Sequence, residues 1–135
     1  MTDGPITIRV GVPHPHLSPN FKARHWAVKG TKRKAQRHDA RWCCVETMAR
    51  VWPRHDAPKW TAARIDVRGY IARKRGNGWD RDNFVGALKG AVDGFKDAGL
   101  LLDDNGVQWG TVDIVYGESD PRVELVVTRI DVTGT

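Results

Sequence analysis

Apolar and polar positions alternate from the start of the chain. Ile6, Ile8, Val10 and Val12 interleave with Thr7, Arg9 and Gly11, the period-two signature of a strand with one buried face. Three prolines between Pro13 and Asn20 then mark an ordered turn or loop. The next segment predicts a long helix from Thr31, an N-cap residue type, to Trp52, stopped by Pro53, with Ala35, Trp42, Val45, Met48, Ala49 and Trp52 as its core face. Ile65, Val67, Gly69 and Ile71 alternate with Arg64, Asp66, Arg68 and Tyr70 as a second strand. A basic turn, Arg73 to Gly78, leads to a second helix over about Asn83 to Asp97, closed by Gly99. Val107–Tyr116 and Arg122–Val132 read as two further strands, and the short link Gly117–Pro121 predicts that they pair as a hairpin. The order strand, helix, strand, helix, strand, strand points to an α/β (α+β) domain: one mixed sheet with two main helices packed on it.

Length supports that reading, since 135 residues suffice for one core and are too few for two domains of ordinary size. The expected domain is therefore 1–135. Charge adds a partner class: 22 Lys and Arg against 16 Asp and Glu give a net charge of +6, which favours association with polyanions. No run of about 18 apolar residues is present, and Met1–Pro5 has neither the charged start nor the apolar centre of a secretory signal. A cytoplasmic location with no membrane partner is expected. The only cysteines, Cys43 and Cys44, are adjacent in the first helix, which supplies neither a disulfide framework nor a thiolate zinc site. The five histidines show no convincing ligand spacing; His14-Pro15-His16 reads first as a solvated loop.

Against this basic background the acidic run Asp80-Arg81-Asp82-Asn83 stands out, followed by Lys89, Asp93 and the pair Asp103-Asp104. Hard divalent cations prefer oxygen ligands, and Mg²⁺ needs only one or two protein carboxylates when phosphate oxygens complete its shell. Carboxylates in a cationic chain thus suggest a metal-dependent nuclease. In an extended segment Asp80 and Asp82 would point the same way, while Asp82, at the start of the second helix, could instead cap it.

On that helix Phe84, Ala87, Leu88, Ala91, Val92 and Phe95 form one apolar stripe. Asp82, Gly86, Lys89 and Asp93 fall together on the opposite side, either as a functional face or as a solvated one carrying a Lys89–Asp93 pair. Gly86, Gly90 and Gly94 recur every four residues, at about 1 kcal/mol each relative to alanine, which points either to a close backbone neighbour, from another helix, a second subunit or DNA, or to simple tolerance. Asp103-Asp104-Asn105-Gly106 alone would be a turn.

The N-terminal half carries the basic and aromatic groups. Lys29, Lys32, Arg33, Lys34, Arg37 and Arg41 crowd the expected start of the first helix, where cations oppose the helix dipole; phosphate binding would compensate. Asn20, Phe21, Lys22, Arg24, His25 and Trp26 mix polar, cationic and aromatic groups suited to phosphate contact and base stacking, although Phe21 and Trp26 could equally cover the core. Arg73, Lys74 and Arg75 form a second cationic cluster.

Taken together, Leu17-Ser18-Pro19-Asn20 with His25-Trp26, then Asp80-x-Asp82-Asn83, Lys89-x-x-x-Asp93 and Asp103-Asp104, are similar in kind and order to the RusA family of Holliday junction resolvases. The resemblance spans nearly the whole chain. It implies a RusA-like fold, a homodimer, and Mg²⁺-dependent endodeoxyribonuclease activity that places paired nicks in four-way junction DNA, with Mn²⁺ as a substitute ion. It also implies residue roles: Asp80, Asp82 and Asp104 as metal-binding acids, Asp103 as fallback for Asp104, Lys89 as catalytic lysine, and Asn83 and Asp93 in support. Here Lys89 follows the Asp-Asn pair by three residues more than in the shorter form of the family pattern. A non-catalytic DNA-binding module, its acids serving as caps and turns, and a nuclease for other branched DNA or RNA are the alternatives.

Overall fold

The computed structural model describes residues 5–19, 26–54, 56–74 and 76–130, the Trp26 side chain apart. Four strands make one sheet: β1 (Ile6–Val10), β2 (Ala63–Ile71), β3 (Val107–Tyr116) and β4 (Arg122–Arg129). Their spatial order is β1-β4-β2-β3, with β2 and β3 parallel and β4 antiparallel to both β1 and β2. The helices α1 (Trp26–Val51), α2 (Arg81–Ala87) and α3 (Lys89–Asp97) pack on one face. The result is the expected single α+β domain with a mixed sheet and helices as the second layer.

The alternating strands bury one face each. Ile6, Ile8, Ile65, Val67, Val123, Leu125 and Val127 are at most 1% exposed, whereas the residues between them are exposed or half-buried. The other face is polar and bears Arg9 bonded to Asp120, Arg122 bonded to Glu124, and the Arg122 guanidinium 4.0 Å above the Tyr70 ring. One face packed and one face wet is normal for a sheet with antiparallel pairs.

The expected β3–β4 hairpin does not form. Glu118 N–H donates to Ile71 O at the end of β2, so the Gly117–Pro121 link carries the chain across β2, and β4 enters between β2 and β1. Burial accounts for the choice. β4 alternates strictly between buried and half-buried residues, as a central strand should, while no residue of β3 is fully buried. β3 therefore takes the edge, and a short link cannot by itself decide pairing.

The second predicted helix is two. Leu88, with φ −100° and ψ 2°, breaks it into α2 and α3, yet Phe84, Ala87, Leu88, Ala91, Val92 and Phe95 all lie in the core as the stripe requires. Gly99 ends the segment at φ +90°. The first helix starts five residues before Thr31, whose hydroxyl donates to Ala27 O within the helix instead of capping it. Its core face differs from expectation in part: Ala40, Cys44 and Thr47 are buried, Met48 and Trp52 pack on the core as expected, Val45 is half-buried, and Ala35, Trp42 and Ala49 are exposed.

The periodic glycines explain that face. A Cβ on Gly94 would lie 2.5 Å from Arg37 O and 2.8 Å from Arg41 N, so α3 packs its backbone against that of α1. Gly90 lies against Gln36, and Gly86 against Pro19. Of the neighbours the spacing allowed, the actual one is a helix of the same chain. Two ion pairs flank the contact: Arg33 with Asp93 at 3.4 Å, and Arg37 bidentate with Asp97 at 2.6 and 2.7 Å.

Two outcomes follow. Gly94→Ala should lower stability by about 1–3 kcal/mol through overpacking against backbone that cannot yield. Gly30→Ala, in α1 with nothing within 4 Å of the new methyl, should raise it by about 0.5–1 kcal/mol. Urea unfolding of both variants checks the opposite signs. The Arg37 guanidinium holds the Asp97 carboxyl below the usual aspartate range, so the pair's contribution is present at neutral pH and is lost as pH falls through the depressed value. Both side chains are partly exposed, so wild type should exceed Asp97→Asn by no more than about 1 kcal/mol at pH 7, with the gap closing below about pH 3.9.

Candidate functional site

The acidic run starts where the basic turn ends. Gly76 and Gly78 have φ of +56° and +78°, and a side chain on Gly78 would run into the Tyr116 hydroxyl. That close approach lets Trp79 N–H donate to Tyr116 Oη at 2.8 Å, while the Trp79 ring meets Phe84 edge-on at 5.3 Å. The turn is thereby fixed at the end of β3.

Asp80 comes next and is the N-cap of α2. Its carboxylate accepts from Asn83 N–H at 2.8 Å and from Asn83 Nδ2 at 2.7 Å. Capping thus falls to Asp80 rather than Asp82, and Asn83 serves as its partner. Arg81 and Asp82 are already helical, so the carboxylates of Asp80 and Asp82 do not project side by side as they would from an extended segment. Asp82 is 95% exposed, with Arg81 at 3.7 Å, and Arg81 also donates to Gly110 O of β3 at 2.9 Å.

The second acidic pair forms its own turn. Asp103 accepts from Asn105 N–H and Asn105 Nδ2, both at 3.4 Å, and caps the 3-10 turn Asp104–Gly106 that feeds β3. Its interaction with the neighbouring Asp104 side chain, and next the hydrogen bond it accepts from the Asn105 N–H, hold the Asp103 carboxyl below its ordinary value. Both aspartates are exposed.

These groups border one strand without converging. Arg81 reaches Gly110, and Gly110 lies three residue steps, about 10 Å of strand, from Val107, where the Asp103–Asp104 turn joins. Among the described residues no three His, Cys, Asp or Glu side chains stand together as a metal-binding group. The chemistry of Asp80, Asp82 and Asp104 still suits a hard cation: exposed carboxylates retain lone pairs, and Mg²⁺ accepts two protein oxygens when phosphate and water supply the rest.

The expected face of Asp82, Gly86, Lys89 and Asp93 is divided by the break at Leu88. Lys89 is exposed at the first position of α3, Gly86 faces Pro19, and Asp93 pairs with Arg33 rather than Lys89. Two expected DNA contacts, Arg33 and Arg37, are likewise engaged in holding α1 to α3. With α1 beginning at Trp26, only Lys29 of the basic cluster lies in its first turn, so the dipole argument for phosphate binding loses most of its basis. Lys29 lies 3.3 Å from Ser18 O; Lys32 and Lys34 are exposed. Asn20, Phe21, Lys22, Arg24, His25, Arg75 and the Trp26 side chain lie outside the described residues.

The periodicities did not single out the hollow beside the acidic turn. It has a volume of about 690 Å³ and is lined by His14, His16, Arg73, Trp79 and Tyr116, among others. His14 Nδ1 accepts from His16 N–H at 3.1 Å, and burial lowers the His14 pKa, with Lys32 and His16 adding to the shift. Lys74 Nζ lies 5.8 Å from the Tyr116 ring centre. The available sequence signal was Trp79 directly before Asp80, an aromatic between a basic turn and an acidic one. No protein-family model matches the chain, and comparison with curated proteins found no match.

Because asparagine also caps helices, Asp80→Asn should keep stability within a few tenths of a kcal/mol, whereas Asp80→Ala should lose about 1 kcal/mol. Thermal unfolding of the two variants measures the cap apart from any chemistry.

Proposed function

We propose that the chain is a Mg²⁺-dependent, structure-selective endodeoxyribonuclease that resolves four-way junctions by paired nicks, acting as a homodimer in the manner the RusA-like residues imply. The observation that carries this reading is the Arg81–Gly110 hydrogen bond, which fastens the Asp80–Asp82 turn to the strand that the Asp103–Asp104 turn feeds. Two exposed acidic turns thus border one sheet edge in an otherwise basic protein. Asp82 with Asp80, and Asp104 with Asp103, would hold the metal, a phosphate of the DNA completing its shell; Mn²⁺ fits the same oxygen donors. Bound there, the ion would activate water and offset charge on the phosphate under attack.

The chain's own groups then have separate tasks. Lys89, exposed at the start of α3, would face the charge that builds on the phosphorus. Lys29, Lys32, Arg73 and Lys74 would hold junction arms through the backbone, by shape rather than by sequence. Paired symmetric cuts need two sites related by a two-fold axis, which a homodimer supplies.

A DNA-binding module without catalysis is the second reading, and the caps made by Asp80 and Asp103 favour it, since each gives its acid a structural purpose. Cleavage assays on a fixed four-way junction, a duplex, a flap and an RNA hairpin, with and without Mg²⁺, separate the two. Nicking of the junction alone is expected. Asp82→Asn, which disturbs no cap, should reduce nicking about 100-fold or more while leaving junction affinity within about two-fold. No cleavage of any substrate in Mg²⁺ or Mn²⁺ sinks the nuclease reading.

A further inference from the structure

The apolar residues of α1 that the fold leaves outside the core follow a repeat. Val28, Ala35, Trp42 and Ala49 recur every seven residues, and all are exposed, Val28 by 41% and Trp42 by 52%. Three residues after the first three stand Thr31, His38 and Val45. This is the spacing of a coiled-coil seam, with Val28 and its repeats at the first seam position and Thr31 and its repeats at the second. The opposite side of the helix carries Arg33, Arg37, Ala40, Cys44 and Thr47, the residues that pair with α3 or enter the core. Packing against α3 therefore turns the seam outward. A hollow of about 230 Å³, with Val45, Met48 and Ala49 in its wall beside Asp56, continues it at the C-terminal end.

From this geometry we infer that α1 pairs with α1 of a second copy, in parallel, around a two-fold axis running along the helices. The flanks identify the occupant. One flank of the seam is basic, with Lys34 and Arg41, and the other runs from Lys32 at its start to Asp39 and Glu46; Lys34, Arg41, Asp39 and Glu46 are exposed and have no ion pairs among the described residues. In a parallel pair the residue before one seam position faces the residue five further along the other chain, so Lys34 meets Asp39 of the partner subunit and Arg41 meets Glu46 of the partner subunit. Both contacts between charged residues join unlike charges, and Lys32 faces the uncharged Ala27 of the partner subunit. An antiparallel pair with the same stripe in contact would set Asp39 against its own copy and Arg41 against its own copy. DNA is a poor occupant, since Asp39 and Glu46 repel phosphate and Trp42 and Val45 offer it no charge.

The seam gives the homodimer of the preceding reading its surface, and rests on that reading only in calling for a second copy. It assigns Lys34 to self-association. It also explains why sequence periodicity marks one face of α1 as apolar while the core takes another: the helix has two partners.

Sedimentation equilibrium of the full chain over a concentration series is the test. Wild type should sediment at twice the chain mass. Trp42→Glu, at a site outside the core, should weaken the dimer about 30-fold or more as the loss of a central aromatic anchor. Arg41→Glu and Glu46→Arg alone should each weaken it roughly 5-fold, and the double variant should recover the wild-type constant, because the reversed pairs again attract. A wild-type chain that stays at single-chain mass overturns the inference. So does a dimer indifferent to both Trp42→Glu and Arg41→Glu, and a double variant weaker than either single one overturns the parallel register. Failure to cut junctions by a dimer that obeys this pattern would count against the nuclease reading alone.

Discussion

The backbone contact between α1 and α3 is the constraint from which the rest of the helical layer follows. Gly94 admits Arg37 O and Arg41 N at distances no side chain would allow, and Gly90 admits Gln36. Once the helices are that close, the rotation of α1 is set. Arg33 and Arg37 must meet Asp93 and Asp97, Ala40 and Cys44 must enter the core, and whatever lies opposite must face outward. Burial pushes the Cys44 thiol up to about 12, consistent with a small apolar role for that residue. The cost of glycine in a helix is thus offset by dispersion contacts and by two ion pairs that only close approach makes available.

The fold was legible to the extent that one partner dictates one pattern. The strands at Ile6–Val10, Ala63–Ile71, Val107–Tyr116 and Arg122–Arg129 each turn one face inward, buried in three of them and half-buried in β3, and alternation located all four. The stripe from Phe84 to Phe95 has the core as its sole apolar partner, and it too was read correctly through the break at Leu88. α1 misled in part because hydrophobicity marks contact without naming the contact: the seven-residue repeat from Val28 to Ala49 lies on an exposed side, while the core side is mostly alanine, cysteine and threonine between arginines, joined by Met48 near its end. Strand pairing misled for a related reason. Alternation tells which face is buried, whereas the order of strands depends on how deeply, and the buried side chains of β4 place it in the centre ahead of β3.

The candidate site was legible as a set of residues and not as a geometry. Sequence isolated Asp80, Asp82, Asp103 and Asp104 because carboxylates are conspicuous in a basic chain. It could not tell which would be spent on backbone, since the same side-chain oxygen caps a helix or binds a cation. Asp80 and Asp103 are capping residues, and Asp82 and Asp104 each follow within the first turn of the element capped. The same arrangement therefore recurs at both turns: a cap that fixes the backbone, then an exposed carboxylate held in place by it. Arg81, between the two acids, is the side chain that ties the first of these turns to the sheet.

The edge strand supplies the last step. β3 is a long edge with one side unpaired, a surface that invites pairing with another chain unless something blunts it. Opposite Asp66 the ladder skips, so that Gly110 and Thr111 together face one residue of β2. Asp66 then accepts from the Thr111 N–H at 2.8 Å and from its hydroxyl at 3.1 Å. Burial would raise the Asp66 carboxyl, but those bonds and the Arg64 guanidinium outweigh it and keep the group below its ordinary value. With Gly110 O already taken by Arg81, the middle of the edge has little left to offer a partner strand. A bulge that makes the edge less open to another strand and an arginine that brings the acidic turn to it are parts of one device, and together they blunt the middle of β3.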